Sequence, residues 1–194
     1  MVSAISTLIG EELGGKGYKW SETMAGVNGY LYGIPFRARR VVKFNPLDNS
    51  MTPIGPDFGG EWKWLCGAMT DSGVIYCPPG DISHGVLKID TNTDTVTVLD
   101  VNIFPEQDGW MFASCALALD GCIYSMPLNA RRIMKLDPNN GDEMSIVGDD
   151  LENKGNKYCG TVVGIDGCVY GIPFQSTRIL KYDPINGITS YGVQ

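Results

Sequence analysis

The residues best suited to bind a charged group are arginines in the loops that follow a recurrent proline. They are Arg37, Arg39 and Arg40 in the first such loop, Arg131 and Arg132 in the third, and Arg178 in the fourth. A guanidinium group presents a planar fork of donors that matches a carboxylate or a phosphate. If the loops share one rim, the arginines form a partial basic crescent for an anionic group of a partner. Solvated rim charges, or pairs with acidic residues of neighbouring segments, are the alternative interpretation.

The second of these loops differs, because it carries Asp81, Ser83 and His84 in place of arginines. His84 is the single histidine of the chain, so a Ser-His-Asp or Cys-His site would have to use it. The sequence contains no phosphate loop, no dinucleotide fingerprint and no Gly-x-Ser-x-Gly turn. We therefore expect no catalytic residues, no cofactor and no metal site, and a chain that is not an enzyme.

A lysine recurs inside a segment rich in β-branched residues, at Lys43, Lys88, Lys135 and Lys181. Asp90, Asp137 and Asp183 follow the last three of these lysines by two residues, which is the same face of a strand. A catalytic lysine needs one special environment, whereas these positions are equivalent to one another. We expect the Lys–Asp pairs to be structural, fixing contacts between repeats or the turn that follows.

Aromatic and cysteine residues also recur. Tyr32, Tyr76, Tyr124 and Tyr170 are expected to pack between repeats with locally bonded hydroxyls, although they or Trp20 and Trp64 could stack on a ligand such as a sugar. The six cysteines are Cys66, Cys77, Cys115, Cys122, Cys159 and Cys168. They lack Cys-x-x-Cys spacing, so buried free thiols in a reducing compartment are expected.

All these residues belong to a unit of about 46 residues that occurs four times. Each unit has an aromatic residue, a turn glycine, the tyrosine, a proline and the lysine, in that order. The turns Asn28-Gly29, Asp120-Gly121 and Asp166-Gly167 predict two-residue type I′ hairpins, and Asp71-Ser72-Gly73 predicts a bulged variant that is one residue longer. Each unit is predicted to form four short strands, and no stretch has sustained helical periodicity.

Four strands in a unit of this length are typical of a propeller blade. We predict an all-β fold, a β-propeller of four-stranded antiparallel blades, built as a four-bladed ring or as half of an eight-bladed one. The blades are expected at about residues 18–55, 62–99, 110–148 and 156–192 of a single domain, 1–194. Residues 6–10 resemble the fourth strand of the unit and are predicted to form an extra outer strand.

The pattern Asp-Gly-x-Ile-Tyr-x-x-Pro, followed by Ile-x-Lys-x-Asp-Pro, resembles Kelch-like and NHL-like propeller repeats, closest to tandem repeats of eukaryotic algae and protists. The resemblance covers nearly the whole chain and implies a rigid platform for protein partners. Repeats of the streptogramin-lyase family are also similar. That family's activity is associated with a histidine and acidic residues around a metal, whereas this chain has only His84.

The chain has a formal net charge of −7, which argues against nucleic acid and anionic lipid as partners. It shows no signal peptide and no transmembrane segment, so an intracellular protein is expected, with an organelle after trimming left open. The leading hypothesis is a non-enzymatic scaffold for protein–protein interaction, within a larger assembly or as a homodimer. Phe104 and Trp110 would add apolar contacts to the arginine rim and His84. A lectin-like propeller, and a lyase or hydrolase with its site at the ring mouth, are the alternatives.

Overall fold

The computed structural model describes residues 7–9, 17–103, 110–152 and 155–192. These residues form four antiparallel sheets of four consecutive strands each, which we call blades 1 to 4. Blade 1 comprises β1 (Trp20–Ala25), β2 (Leu31–Pro35), β3 (Val41–Phe44) and β4 (Met51–Ile54). Blade 2 comprises β5 (Ala68–Met69), β6 (Val74–Cys77), β7 (Val86–Asp90) and β8 (Thr95–Leu99). Blade 3 comprises β9 (Ala116–Leu117), β10 (Ile123–Ser125), β11 (Ile133–Asp137) and β12 (Glu143–Val147). Blade 4 comprises β13 (Tyr158–Val163), β14 (Val169–Pro173), β15 (Leu180–Asp183) and β16 (Ile188–Tyr191). The predicted fold class, an all-β propeller of four-stranded blades, is confirmed.

Each blade has two distinct ends because its strands run antiparallel. The loop between the second and third strands and the linker to the next blade lie at one end, which we call the loop end. The two hairpin turns lie at the opposite end, which we call the turn end. One 3-10 helix, Ile82–His84, occupies the loop of blade 2. Within the described residues, no helix is long and apolar enough to cross a membrane.

The hydrophobic core lies between successive blades. Tyr32, Ile34 and Val41 of blade 1 pack against Ile75 and Leu87 of blade 2, and all five are fully buried. Equivalent clusters join blade 2 to blade 3 and blade 3 to blade 4. Alternate residues of a strand face opposite sides of a sheet, so each inner blade contributes one set of side chains to each neighbour.

The hairpins between the first and second strands differ from the predicted type I′ turns. In blade 1 the N–H of Gly26 donates to Tyr30 O at 2.7 Å and the N–H of Gly29 donates to Gly26 O at 3.1 Å, which leaves a three-residue loop. Gly29 has a φ of +84°, and Asn28 is absent from the residues with positive φ. This is a type I turn followed by a left-handed glycine. The same bonds join Thr70 and Val74, so the bulged turn of three residues predicted for Asp71-Ser72-Gly73 of blade 2 is confirmed.

The recurrent lysines and aspartates have the structural roles that were expected, although Lys88 and Asp90 do not pair with each other. Lys43 pairs with Asp94 and Lys88 with Asp142, in each case on the next blade. Asp90 instead accepts a hydrogen bond from the N–H of Asn92 at 2.8 Å, which closes the turn after the third strand. Lys43 and Lys88 therefore serve contacts between blades, whereas Asp90 serves the turn that follows its strand.

Of the extra outer strand predicted at residues 6–10, the structure describes residues 7–9, which lie outside its strands, with Leu8 and Ile9 exposed. Residues 6 and 10 lie outside the described residues. The strand stays a prediction.

Candidate binding surface at the loop end

Four aromatic rings from two blades and their linkers meet at the loop end. Phe36 is central: its ring stacks on Trp62 at a centroid distance of 5.6 Å and lies 5.5 Å from Trp110. Tyr18 meets Phe36 edge-on at 6.2 Å, and Trp62 meets Trp110 at 5.1 Å. We call these four residues the aromatic cluster.

Three of the four rings come from the same place in the repeat, because in blades 1 to 3 two aromatic residues, separated by one residue, precede or open the first strand. Tyr18, Trp62 and Trp110 each stand two residues before the aromatic that opens the strand region, and Trp64, one of those opening aromatics, is 1% exposed. The linkers are tied to the loops by backbone bonds: the N–H of Lys63 donates to Phe36 O at 3.0 Å and that of Met111 to Gly80 O at 2.6 Å. These bonds hold rings from separate parts of the chain together.

Part of the cluster is open to solvent. Phe36 is 8% exposed, whereas Trp62 is 46% and Tyr18 is 71% exposed, and Trp110 is half-buried. The Arg37 guanidinium lies over the Trp62 ring, 6.0 Å from its centroid. Large apolar side chains in water are costly, so an exposed cluster of rings with an arginine beside it is a feature that needs a functional explanation.

Two of the other arginines at the loop end form ion pairs with an aspartate in the linker that follows their own blade. Arg39 pairs with Asp57 at 2.8 Å, and Arg131 pairs with Asp150 at the equivalent place in blade 3. A hydrogen bond from the Arg131 side chain is the main reason that the pKa of Asp150 is lowered. For Asp57, the N–H of Gly59 lowers the pKa most and Arg39 adds to it.

The next arginine in each of these loops bonds to a backbone carbonyl. Arg40 donates to Gly55 O at 3.1 Å and Arg132 to Gly148 O at 3.4 Å. Arg178 lines a rim cavity of about 460 Å³ together with Glu152 and Tyr191. The structure thus places Arg37 and Trp110 at the aromatic cluster and the other arginines along separate blade edges. Phe104 lies outside the described residues.

His84 ends the short 3-10 helix of blade 2. Its ring packs edge-on against Trp64 at 6.0 Å, and its Nδ1 lies 3.2 Å from Ser83 Oγ. Burial lowers the pKa of His84, which favours the neutral imidazole. Among the residues that the structure describes, no group of three His, Cys, Asp or Glu side chains could hold a metal ion.

Two buried lysines near this surface escaped the sequence analysis. Lys63 is fully buried and its Nζ donates to Gly59 O at 3.0 Å and Glu61 O at 2.8 Å, within the linker that carries Trp62. Lys157 is 5% exposed, and burial lowers its pKa to about 8. Their recurrent position, directly before Trp64 and Tyr158, was the sequence feature that could have identified them.

The six cysteines of the structure are free thiols, and four of them are buried: Cys66, Cys77, Cys122 and Cys168. Cys115 is half-buried and Cys159 is exposed. Burial raises the pKa of Cys122 to about 11, so this thiol is unreactive at neutral pH.

Together the blades and the loop-end surface define a β-propeller protein. Neither a protein-family model nor a curated protein sequence matches the chain. Among solved structures, a catalytically inactive H270A virginiamycin B lyase from Staphylococcus aureus with quinupristin is similar, with a TM-score of 0.67 and 9% identity over 87% of this chain and 53% of that one. A streptogramin B lyase matches with a TM-score of 0.67 and 13% identity over 88% of this chain and 53% of that one. Kuenenia stuttgartiensis hydrazine synthase matches with a TM-score of 0.62 and 14% identity over 95% of this chain and 53% of that one.

These similarities show the propeller fold. The chain spans about half the length of these three structures, with 53% of each covered. The likeness to Kelch-like and NHL-like repeats stays a prediction.

Proposed function

We propose that the chain is a non-enzymatic interaction module that binds a protein partner through the aromatic cluster. The observation that supports this proposal is the exposure of Trp62 and Tyr18 above the buried Phe36. Interfaces draw most of their binding energy from a few Trp, Tyr and Arg residues seated in packed surroundings. The aromatic cluster and the adjacent Arg37 supply all three types in one place, held by the linker bonds around Lys63.

The charges nearby indicate what kind of segment would bind. The Arg37 guanidinium lies beside Trp62, whereas Arg39 pairs with Asp57. An apolar or aromatic anchor followed by a carboxylate would fill the surface over Phe36 and pair with Arg37. We therefore propose a partner segment that combines an apolar side chain with an acidic one.

The test uses a displayed peptide library selected on the purified chain, followed by affinity measurements on the selected peptides. Trp62→Ala should weaken binding by about 10- to 100-fold, since loss of a central tryptophan costs roughly 2 kcal/mol or more. Leu119→Ala is the matched control, because Leu119 is 81% exposed at the turn end. Peptides that bind both variants and the wild type equally would contradict the proposal.

A glycan array probed with the same three proteins distinguishes the remaining binding class. An exposed indole such as Trp62 can also stack on a sugar ring. We expect no glycan signal. A signal abolished by Trp62→Ala and retained by Leu119→Ala would replace the protein partner with a glycan.

A further inference from the structure

Blade 4 exposes residues whose equivalents are buried in the other blades. At the start of the third strand, Val41, Val86 and Ile133 of blades 1 to 3 are at most 1% exposed, whereas the equivalent Ile179, directly before β15 of blade 4, is 44% exposed. The second strand repeats the contrast, with Ile34 and Met126 at 0% but Ile172 at 44%. Val162 of β13 is 49% exposed on the same side. The sequence of blade 4 thus retains an apolar face for a following blade.

Blade 1 has the complementary opening on its other side. An apolar groove of about 250 Å³ runs along it, lined by Trp20, Thr23, Leu31, Gly33, Val42, Phe44 and Met51. In the inner blades the positions equivalent to Phe44, which are Ile89 and Leu136, are fully buried against the preceding blade. Phe44 is only half-buried. Among the described residues, core clusters join blades 1 to 2, 2 to 3 and 3 to 4 but not 4 to 1.

The hydrogen bonds at the first two junctions share one design. Tyr32 and Lys43 of blade 1 both donate to Asp94 of blade 2. Tyr76 and Lys88 of blade 2 both donate to Asp142 of blade 3. Burial, together with the bond to Asp94, raises the pKa of Tyr32 to about 12, so the tyrosine stays a donor.

At the third junction, between blades 3 and 4, the tyrosine donates to a carboxylate of its own blade and not to one of the next blade. The residue of blade 4 equivalent to Asp94 and Asp142 is Gly187, which has no side-chain oxygen, and all three have positive φ. Tyr124 donates instead to Asp120 of its own hairpin at 2.8 Å. The hairpins of blades 1 and 2 have Asn28 and Ser72 at that place. At each of these three junctions the tyrosine therefore donates to one carboxylate. The following blade supplies it at the first two junctions and the preceding blade supplies it at the third, and we call this the one-carboxylate rule.

The residues that blade 4 and blade 1 would bring to a junction between them follow the same one-carboxylate rule. Tyr170 and Lys181 donate to Asp166 of their own hairpin at 2.8 and 2.7 Å. Asn49 is the blade 1 residue equivalent to Asp94, with a φ of +61°, and it is not a carboxylate. A blade 1 placed after blade 4 would thus meet one carboxylate, as at the other three junctions.

From the two open faces and their matched acceptors we propose that a second copy of this chain closes the propeller. Blade 4 of each copy packs against blade 1 of the other, and two arcs of four blades form one eight-bladed ring with two-fold symmetry. The match to 53% of each of the two lyase structures agrees with an arc that makes up part of a larger ring. Two identical interfaces then bury Ile172 and Ile179 on one side and the groove around Phe44 on the other.

The test is the solution mass of the full chain, measured by light scattering from about 1 to 100 µM. We expect about 42 kDa, twice the 21.1 kDa of one chain, and eight blades in electron-microscopy class averages. A mass of one chain at the highest concentration would overturn the proposal. Open polymers of rising mass would overturn it too, because they mean that the arcs stack without closing.

Variants test the face itself. Ile179→Glu should yield a folded monomer, because it places a charge in the interface while the side chain is already 44% exposed within one chain. Ile185→Glu, the same change at an 88% exposed turn position of the same blade, should remain dimeric. Ile172→Arg repeats the test with the opposite charge. A dimer that persists in both face variants would refute this interface.

Discussion

At the scale of single residues, the buried lysines connect the fold to the candidate surface. Lys63 donates hydrogen bonds to two backbone carbonyls of the linker that contains Trp62. Lys157 does the same near Asn129 O and Glu152 O, at 3.4 and 3.5 Å, in blade 4. Burial removes water from both ammonium groups and makes the charged form costly, which is why the pKa of both lysines is lowered.

This cost predicts an unusual pH dependence for Lys157. Burial lowers its pKa in the folded protein to about 8, with Asp150 opposing and Arg131 reinforcing the shift. The unfolded chain keeps a lysine pKa near 10.4, so between about pH 8 and 10 it binds more protons than the folded protein.

The free energy of unfolding should therefore rise with pH across this window, by roughly 2 kcal/mol more than in Lys157→Met. Urea unfolding at several pH values measures the difference, and Lys19→Met, at the half-buried equivalent position before Trp20, is the control. Parallel pH curves for the wild type and Lys157→Met would contradict the prediction.

At the scale of strands and turns, the repeat made most of the fold predictable. A tyrosine, a proline and a lysine at constant spacing in each unit mark the second and third strands, and alternation assigns their faces. The hairpins were mispredicted because Asn-Gly and Asp-Gly suit two loops: the glycine can be the second residue of a type I′ turn or the left-handed residue after a type I turn. The distinction depends on pairing register, as between Gly26 and Tyr30, which dipeptides do not encode.

The aromatic cluster was harder to predict than the strands. Trp110 was expected to contribute apolar contacts, but its neighbours Phe36 and Trp62 were not identified. Phe36 lies after β2, and Trp62 lies in the linker to β5, so only the closing of linkers onto loops brings them together. A second aromatic two residues before Trp20, Trp64 and Phe112 was the available signal. The arginine pattern was more conspicuous in the sequence, yet Arg39 and Arg131 pair within their own blades.

The one-carboxylate rule predicts that the third junction can be converted to the design of the first. Asp120→Asn replaces the carboxylate that accepts from Tyr124 with a neutral amide, and this loss of a charge-assisted hydrogen bond should cost about 1–2 kcal/mol of unfolding free energy. Gly187→Asp places a carboxylate where blades 2 and 3 have Asp94 and Asp142, in a backbone conformation that aspartate tolerates. The double variant should recover most of the loss, with a coupling energy of about 1 kcal/mol or more in a double-mutant cycle.

The matched control for this cycle is Asp166→Asn combined with Gly187→Asp. The chemical changes are identical, but Asp166 belongs to the far side of blade 4, where it holds Tyr170 and Lys181. These two changes should add without coupling. Additivity of the Asp120 and Gly187 changes, measured by urea unfolding, would show that Gly187 does not face Tyr124.

At the scale of the whole molecule, stability depends on how many neighbours a blade has. Blades 2 and 3 bury both faces, whereas blades 1 and 4 bury one each. Proteins built from repeats that contact only their neighbours gain stability from the interfaces between repeats. An open arc of four blades would therefore be weakest at its two ends, and a closed ring would have no weak blade.

Hydrogen exchange should reveal this difference between arc and ring. In the monomeric Ile179→Glu variant, backbone amides of β14 and β15 should exchange at least about tenfold faster than those of β6 and β7, because local opening of an end blade breaks one interface rather than two. In the wild-type dimer, the second copy covers Ile172 and Ile179, and the exchange rates of the two blades should converge. The Ile185→Glu dimer serves as the control and should match the wild type. If β14 and β15 were as protected in the monomer as β6 and β7, the interfaces would not set the local stability, and the open faces of blades 1 and 4 would need no partner to be stable.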